Sequence, residues 1–511
     1  MATGTSSTRL RTVRAASCGG VSAVTLPSSP HGLARKSLGS PGLSVLGVSA
    51  SAPMTVVAGA VIATFATTGV LGVPLAFILL TIPLLLVSVG LVAMSRDMAH
   101  TGAFYAFLAR GLGRSWGLSA AVVALVAYNA IQICLYGLFG ATVVDILKTG
   151  TWWEWAAAVW LIVALLGIRH IEVNTRIIAI VLTVEIAVIG MLIAAALTHP
   201  AATTSGSSMT ALKPSALFTN GVGVVLAFTV ASFVGFESVI AYREEAREWR
   251  AVRRAAIGAV VFLGAFYALA SWSLTITVGP AHIIDAARDP SAGLPFSILE
   301  VHYGSFWSGL GQAVLITSIF GAMISFHNVV ARYTFGLARE GVLPGRLGII
   351  GGSIGGVPIG GSIAQSVTAA MTVLIFMALH ADPITALFTL LSVVAAIGVL
   401  LLMIGAAFAV IRFYRLSANP PGRWHRLTAP GLGAAGLIVV LVITSANLTA
   451  LTGQATQARW LLPGVILAAA VGGAVWALVL RARRPGVYMA IGYGDPKPLA
   501  VLDRSLAHLE L

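Results

Sequence analysis

Three titratable side chains lie inside long apolar stretches, where they could bind or release protons. Glu185 sits in the stretch LTVEIAV, Glu237 in SFVGFES and His327 in FHN. A charge is costly in an apolar environment, so an acid at such a place is usually paired with a neighbour or functional. A carboxyl group there can exchange a proton near neutral pH, and histidine titrates in the same range. The chemistry that these residues offer is proton binding linked to another activity.

Each of the three residues also has a structural interpretation. Glu185 is our candidate for proton coupling, but an acid hydrogen-bonded to a neighbouring helix would look the same in sequence. Glu237 could take part in gating, or it could cap or brace the lower half of the sixth helix against the seventh or second helix. His327 could reach a substrate or an ion, or it could be a buried histidine bonded to a nearby side chain.

A proline interrupts the first apolar stretch at Ser51, Ala52, Pro53, Met54 and Thr55. Proline lacks a backbone N–H and clashes with the preceding turn, so it breaks or kinks a helix, yet it suits the first position of a new one. A half-helix that starts here would point free amides and a partial positive charge at the break. A substrate carboxylate would fit that end; a simple kink without a ligand is the alternative.

A second interruption falls at Gly235, two residues before Glu237. Glycine permits the backbone to unwind. Transporters often place their binding site where a membrane-spanning helix is interrupted near the middle of the bilayer. Breaks in the first and sixth apolar stretches fit two inverted repeats of five helices.

The elements that must position these residues are membrane-spanning helices. Of the 511 residues, 58% are apolar and only 9% are charged, whereas soluble domains carry about 25% charged residues. Runs of about 20 apolar residues are long enough to cross a bilayer, where backbone groups must bond internally. The sequence predicts an all-α integral membrane protein with twelve such helices, near 43–66, 71–94, 116–143, 153–171, 175–197, 217–240, 252–278, 309–331, 360–380, 384–411, 430–451 and 460–480.

The positive charges indicate the orientation of these helices. With the amino terminus in the cytoplasm, all but four of the 31 basic residues fall on the cytoplasmic side; the exceptions are Lys148, Lys213, Arg288 and Arg459. This asymmetry is the normal signature of cytoplasmic loops, so both termini are predicted to be cytoplasmic. The basic residues form no patch of the kind that binds nucleic acid. The Arg-rich, Ala-rich composition favours a bacterial source, and hence the inner membrane.

Other classes of protein find little support in the sequence. There is no phosphate-binding glycine loop, no zinc motif and no nucleophile elbow, so we expect neither enzymatic activity nor a cofactor. The two cysteines, Cys18 and Cys134, have no metal-ligand spacing. The sequence shows neither a filter loop nor a ring of charged residues, so it gives no indication of a channel.

Three blocks of residues, in order along the chain, resemble the amino acid–polyamine–organocation superfamily of permeases. They are GAFYAFLARGLGRSWG at 102–117, SFVGFES at 232–238 and FHNVVARYTFGLAREGVLP at 326–344. The third block carries a family pattern through Arg332, Ala338, Arg339, Glu340, Gly341 and Pro344. The resemblance covers roughly residues 40–480.

The resemblance implies the five-plus-five inverted-repeat fold that is shared with sodium-coupled amine transporters. It implies that the substrate carboxylate meets amides of the broken first helix, which fall on Ser51 to Thr55 here. The substrate amino group would meet carbonyls of the broken sixth helix, which fall on Phe228, Ala231 and Ser232, with Gly235 at the break. The usual Gly-x-Gly of the first break is absent, and Ala231 is small where some members carry an aromatic gate.

Some family members carry a lysine at the place of Glu185, close to the first break, where it replaces a sodium ion. The opposite charge here favours a proton as the coupling ion. Sodium is the alternative, because hydroxyl groups on the eighth helix bind it in some relatives; Thr317, Ser318 and Ser325 lie there, although hydroxyls more often bond back to their own helix.

The expected function is secondary transport of amino acids or related amines across the inner membrane, by alternating access with proton coupling or exchange. A nucleobase or other organic-cation carrier on the same fold, and a transport-dead sensor, are the alternatives. The expected partners are a small-molecule substrate, the lipid bilayer and a proton; the sequence specifies no oligomeric state.

The predicted organisation is a disordered cytoplasmic tail at 1–40, a transport core at 41–412 made of repeats at 41–200 and 215–412, accessory helices at 428–484, and a tail at 485–511. The outer loop at 279–308 is expected to carry short helices that act as a lid.

Overall fold

The computed structural model describes residues 38–98, 102–168, 174–201, 209–244, 246–289, 293–351, 357–448 and 460–493. Within these ranges the chain is helical, and the only β pairing is two isolated bridges, Leu38 with Ala246 and Gly351 with Val357. Most of the predicted amino-terminal tail and of the carboxy-terminal tail lies outside the described residues.

Twenty α-helices are numbered here along the described chain. They are α1 Ser40–Ala50, α2 Pro53–Thr55, α3 Ile62–Thr68, α4 Val73–Asp97, α5 Ala103–Gly111, α6 Arg114–Leu147, α7 Trp152–Gly167, α8 Asn174–Thr198, α9 Pro214–Leu217, α10 Val222–Phe233, α11 Ser238–Ala241, α12 Trp249–Val278, α13 Ile283–Arg288, α14 Phe296–Tyr303, α15 Ser305–Arg339, α16 Ile359–Ala378, α17 Thr389–Arg415, α18 Ala429–Ala446, α19 Leu461–Arg483 and α20 Pro485–Ala490. Turns of π-helix at Val56–Val61, Pro383–Phe388 and Trp424–Thr428 lead into α3, α17 and α18.

The predicted membrane segments are present. Eleven helical segments in the described ranges are long and apolar enough to cross a bilayer, and they match eleven of the twelve predicted runs. The fourth run forms α7, an apolar helix of 16 residues that falls below that length; residues 169–173, which follow it, lie outside the described part of the chain. The prediction of an all-α integral membrane protein is confirmed.

The first membrane segment is broken, as the proline predicts. Helix α1 ends at Ala50, Ala52 adopts a left-handed conformation with φ 45° and ψ 74°, and Pro53 begins α2. A left-handed backbone costs a non-glycine residue about 1–3 kcal/mol and persists only where the surroundings hold it. We call residues 51–52 the first break; beyond them, α2, the π turn and α3 run on as one helical rod.

The sixth segment is broken at the predicted glycine. Helix α10 ends at Phe233, Gly235 has φ +117°, and α11 begins at Ser238. Only glycine adopts such a φ without strain. We call residues 234–237 the second break.

The two breaks are in direct contact at the centre of the bundle. A Cβ atom added to Gly235 would lie 2.9 Å from the carbonyl carbon, the carbonyl oxygen and the Cβ of Ala50, which is closer than carbon atoms can approach. Glycine is therefore required here for two reasons: only glycine adopts this backbone conformation without strain, and a side chain would collide with the first segment.

The remaining helices enclose this centre. Helix α8 packs against α1, α2, α12 and α15; helix α17 packs against α6 and α10. Helices α18 and α19 lie further out, α18 against α4 and α17, and α19 against α6. The predicted short helices of the loop at 279–308 are α13 and α14. Helix α13 packs on α3, where Arg288 Nε donates to the carbonyl of Ala66 at 3.1 Å, and α14 packs on α8 and α15.

Candidate functional site

A small cavity lies where the two breaks meet. Its volume is about 40 Å³, far below the roughly 300–1,000 Å³ of sites that hold small ligands. Ser51 and Thr55 line it from the first segment, Ser232 from the sixth, and Phe326 and Ser392 from α15 and α17. The cavity is therefore too small in this conformation to hold an amino acid.

A much larger groove of about 840 Å³ lies elsewhere, among α5, α6, α17 and α19. Its wall includes Trp116 and Phe408, which are exposed on the outside of the bundle. Such a position in a membrane protein faces lipid, and no residue of either break lines this groove. We therefore assign the candidate site to the small central cavity.

The backbone amides at the start of α2 are bonded to other helices. Met54 N–H donates to Oε2 of Glu185 on α8 at 3.2 Å, and Thr55 N–H donates to Oγ of Ser318 on α15 at 3.2 Å. Pro53 has no amide hydrogen, and Val56 N–H bonds to the carbonyl of Ala52. The partial positive end of this half-helix thus faces a carboxylate that the protein itself supplies.

The hydroxyl of Ser318 connects Thr55 of the first segment to Glu185 of α8. Its hydroxyl donates to Glu185 Oε2 at 3.1 Å and accepts from Thr55 Oγ1 at 3.0 Å. On the opposite side, the Tyr267 hydroxyl donates to the carbonyl of Ser51 at 3.2 Å. The first break is therefore held by α8, α12 and α15 together.

The second break is held by an acid of its own segment. Glu237 accepts the N–H of Gly235 on Oε2 at 2.9 Å and the hydroxyl of Tyr128 on Oε1 at 2.7 Å. Both carboxylate oxygens are thus used, and the residue is only 4% exposed. This geometry is that of a brace between the break and α6, which is the third membrane segment and not the expected second or seventh.

The end of α10 presents carbonyl groups toward the break. The last carbonyls of a helix lack intrahelical partners. Those of Ala231 and Phe233 accept the N–H groups of Val234 and Phe236. In the described part of the chain no backbone amide donates to the carbonyl of Ser232, which leaves it able to accept a hydrogen bond from a bound molecule.

A comparison with family models matches residues 42–471 to the amino acid permease family. This match spans more than four-fifths of the chain. The chain belongs to the amino acid permease family. A search among curated proteins gives no significant match for this permease. The family and the membrane helices together make the protein a multi-pass membrane transporter for a small molecule, and the resemblance seen in the sequence is confirmed.

The permease brings most of its predicted substrate residues to the cavity. Those that line it are Ser51, Ala52, Thr55, Phe228, Ala231 and Ser232. Pro53, Met54 and Gly235 lie behind this wall, where Pro53 and Gly235 shape the breaks and Met54 contacts Glu185 through its amide. Their role in binding stays a prediction.

The three predicted titratable residues go to three different places. Glu185 lies at the first break and Glu237 at the second. His327 lines no part of the cavity; its Nε2 lies 2.7 Å from the hydroxyl of Ser362 on α16, and Gly167 of α7 packs against the same ring. The geometry of His327 matches the buried, hydrogen-bonded alternative.

The hydroxyl groups of α15 also differ in their hydrogen-bond partners. Thr317 and Ser325 bond back to carbonyls of their own helix, whereas Ser318 turns to Glu185. No three His, Cys, Asp or Glu side chains cluster as a metal site within the described ranges.

Two contributors were missed in the sequence. Tyr267 bonds the first break from α12, and a tyrosine hydroxyl inside an apolar run is a signal, since it needs a partner when buried. Ser392 lines the cavity from α17, and nothing in its sequence context distinguishes it from other serines in membrane helices.

Proposed function

We propose that this permease is a secondary transporter of amino acids or related amines that works by alternating access. The observation that supports this most is the contact between two broken helices at a small central cavity. Alternating access requires the site between the two breaks to open to each side of the membrane in turn. Since 40 Å³ cannot hold an amino acid, the helices around the breaks must move to admit one.

Glu185 is the proposed proton-coupling residue. Its Oε2 accepts two hydrogen bonds, from Met54 N–H and from the Ser318 hydroxyl. Protonation would remove the negative charge that attracts both donors and would loosen the first break from α8 and α15. Tyr267, on the neighbouring α12, is the other titratable group close to this carboxyl, and within the described residues no basic side chain forms an ion pair with it.

The proposed setting is the bacterial inner membrane, with both termini in the cytoplasm. The distribution of basic residues supports this orientation. The proposed organisation is a core of two inverted repeats at 41–200 and 215–412, with α18 and α19 as the accessory pair. The outer position of α18 and α19 in the bundle agrees with that division.

Reconstitution tests the proposal directly. The purified permease is placed in liposomes and screened for uptake of all amino acids and common polyamines, with and without an imposed pH gradient. We expect at least one compound to accumulate when the gradient is applied, or to exchange against the same compound inside. Absence of both uptake and exchange for every compound, with protein that unfolds cooperatively, would contradict the proposal.

The coupling role of Glu185 needs its own variant. Glu185→Gln keeps a hydrogen-bond acceptor at the same place but cannot carry the charge, so uptake driven by pH should be abolished while exchange is retained. Glu340→Gln is the matched control, because Glu340 is a buried acid whose Oε1 accepts from Gly492 N–H, away from both breaks. Unchanged proton dependence in Glu185→Gln would rule out this assignment.

A further inference from the structure

A second pocket lies at one end of the helix bundle, away from the two breaks. Its volume is about 420 Å³, within the range of sites that hold small ligands. It opens between the end of α4, the end of α17, the start of α12 and the π turn that leads into α18. These four helix ends lie on the side of the membrane that is proposed to be cytoplasmic. The pocket is therefore at the boundary between the bilayer and water.

The wall of this pocket carries positive charge. Arg96 and Arg253 line it, and no Asp or Glu does. Asp97, beside Arg96, accepts Arg96 Nε on Oδ1 at 3.2 Å and the Tyr414 hydroxyl on Oδ2 at 2.8 Å. Among the described residues, no carboxylate forms an ion pair with Arg253. Both guanidinium groups therefore have N–H groups available for an anion.

The two arginines are held in place by their neighbours. Trp249 Nε1 donates to the carbonyl of Val92 at 2.8 Å, which fixes the indole between α12 and α4. The guanidinium carbon of Arg253 lies 5.8 Å from the centre of that indole ring. Stacking uses the face of a guanidinium group and leaves its N–H edges for a phosphate, which arginine can bind through two parallel hydrogen bonds.

The pocket changes from charged to apolar as it goes deeper into the membrane. Val89, which also lines it, precedes Arg96 by seven residues on α4, so it lies about 10 Å deeper. Ile257 lines the pocket one helical turn inside Arg253. At the rim, Trp424 is 49% exposed, as is usual for tryptophan at a membrane interface. A charged rim above an apolar wall suits an amphiphile, whereas a free phosphate ion would use the rim alone.

We infer that this pocket binds the headgroup of an anionic phospholipid. The phosphate lies between Arg96 and Arg253, His425 can donate a ring N–H to the headgroup, and the acyl chains follow the apolar wall of α4. Basic pockets between membrane helices recognise acidic headgroups in this way. This site is separate from the proposed transport function. A lipid bound here would contact α4 and α12 of the proposed core and α18 of the accessory pair at once.

Two lipids with the same acyl chains test the inference. The purified, delipidated full-length permease is titrated in detergent with dioleoyl phosphatidylglycerol and with dioleoyl phosphatidylcholine, and binding of the first lipid is measured by native mass spectrometry. Each basic residue near an anionic headgroup strengthens binding about fivefold. We therefore expect phosphatidylglycerol to bind at least about tenfold more tightly. Equal affinity for the two lipids would overturn the inference.

Soluble anions distinguish a lipid from a free phosphate. Inorganic phosphate and glycerol 3-phosphate carry the anionic group without acyl chains. Phosphatidylglycerol should raise the temperature of thermal unfolding, and neither soluble anion should do so, or displace the lipid, at the same concentration. Displacement of the lipid by either anion at that concentration would overturn the lipid assignment in favour of a soluble phosphate compound.

Variants of the arginines separate the pocket from general surface charge. Arg253→Gln and Arg96→Gln should each weaken phosphatidylglycerol binding about fivefold and leave phosphatidylcholine binding unchanged, while Arg253→Lys, which keeps the charge, should retain most of the affinity. Arg254→Gln is the matched control, because Arg254 is the next residue on α12, is exposed and does not line the pocket. Equal losses in Arg253→Gln and Arg254→Gln, or wild-type affinity in both Arg253→Gln and Arg96→Gln, would overturn the inference.

Discussion

The two breaks are both held by a glutamate, but the glutamates come from different places. At the second break, Glu237 bonds the amide of Gly235, two residues before it, and ties it to Tyr128 of α6. At the first break, Glu185 bonds the amide of Met54 from 131 residues further along the chain. One brace is local to its segment; the other depends on how three helices are placed.

This difference suggests different roles for the two breaks. The second break carries its acid with it when it moves, so its geometry can stay fixed through a transport cycle. The first break keeps its shape only while α8 and α15 stay next to α2. A relative movement of these helices would break the bonds of Met54 N–H and Thr55 N–H, and protonation of Glu185 would weaken the first of them. We therefore expect the first break to be the adjustable half of the site.

Gly235→Ala should have the largest effect. The new Cβ would require a φ of +117° and would lie 2.9 Å from Ala50 atoms. Left-handed strain and overpacking together cost roughly 2–6 kcal/mol, so transport should be lost and thermal unfolding should occur at a much lower temperature. Gly258→Ala in α12 is the control, since nothing lies within 4 Å of its added Cβ; equal behaviour of the two variants would refute the close contact of the breaks.

The two glutamates should differ when each is changed to alanine. Glu237→Ala leaves the buried Gly235 N–H and Tyr128 hydroxyl without acceptors, at about 1–3 kcal/mol for each. Glu185→Ala leaves only Met54 N–H without one, because the Ser318 hydroxyl can turn to its own helix. Denaturant or thermal unfolding in detergent should rank Glu237→Ala as the less stable; the reverse order would mean that the local brace is not the stronger one.

Ser318→Ala should affect the first break alone. It removes the link between Thr55 and Glu185, which we expect to lower stability by about 1–2 kcal/mol and to alter the proton dependence of uptake. Ser325→Ala on the same helix removes only a bond to the carbonyl of Gly321 and should change neither. Uptake measured over a range of pH distinguishes the two, and identical pH profiles would argue against the role of Ser318.

The smallest expected effect lies at the surface, where the end of α8 meets the short helix α14. The rings of His199 and His302 stack with their centroids 4.6 Å apart. Partial burial, and then the neighbouring His199, lower the pKa of His302 below its ordinary value of 6.5. The folded contact therefore favours the neutral ring, so its stabilising effect is present above pH 6.5 and is lost as the pH falls below that value.

The contact between His199 and His302 lies at one end of α8, the helix that also carries Glu185 to the first break. Imidazole titration by NMR should show that His199→Gln moves the pKa of His302 upward, toward its ordinary value, since one of the two causes is removed. No change in that pKa would mean that the two rings do not interact in solution.

Much of the fold could be predicted from the chain alone. Apolar runs of sufficient length gave the membrane segments, and Pro53 and Gly235 gave the positions of the two breaks. The same stretch contains Glu237, but the sequence left its role open between gating and a structural brace, and its bond to Tyr128 joins residues 109 positions apart. Even the short helices α13 and α14 fall in the loop where they were expected.

The contacts between helices were not predictable in the same way. In a membrane protein, the helix face that packs on another helix and the face that contacts lipid are both apolar. Hydrophobic periodicity therefore does not show how a helix is rotated about its axis. For this reason the sequence left open whether His327 reached the substrate path, and did not indicate that Tyr267 bonds the first break. The nearness of Glu185 to that break came from the family resemblance and not from the pattern of residues.

The sequence by itself determined where the chain spans the membrane and where two of its helices break. Those features depend on residues that are neighbours in the chain, so local chemistry suffices. Only the tertiary structure decided that the amides of the first break are bonded to Glu185 and Ser318, because α2, α8 and α15 must first be packed at a particular rotation and distance. That packing ties the first break to two other helices through Glu185 and Ser318.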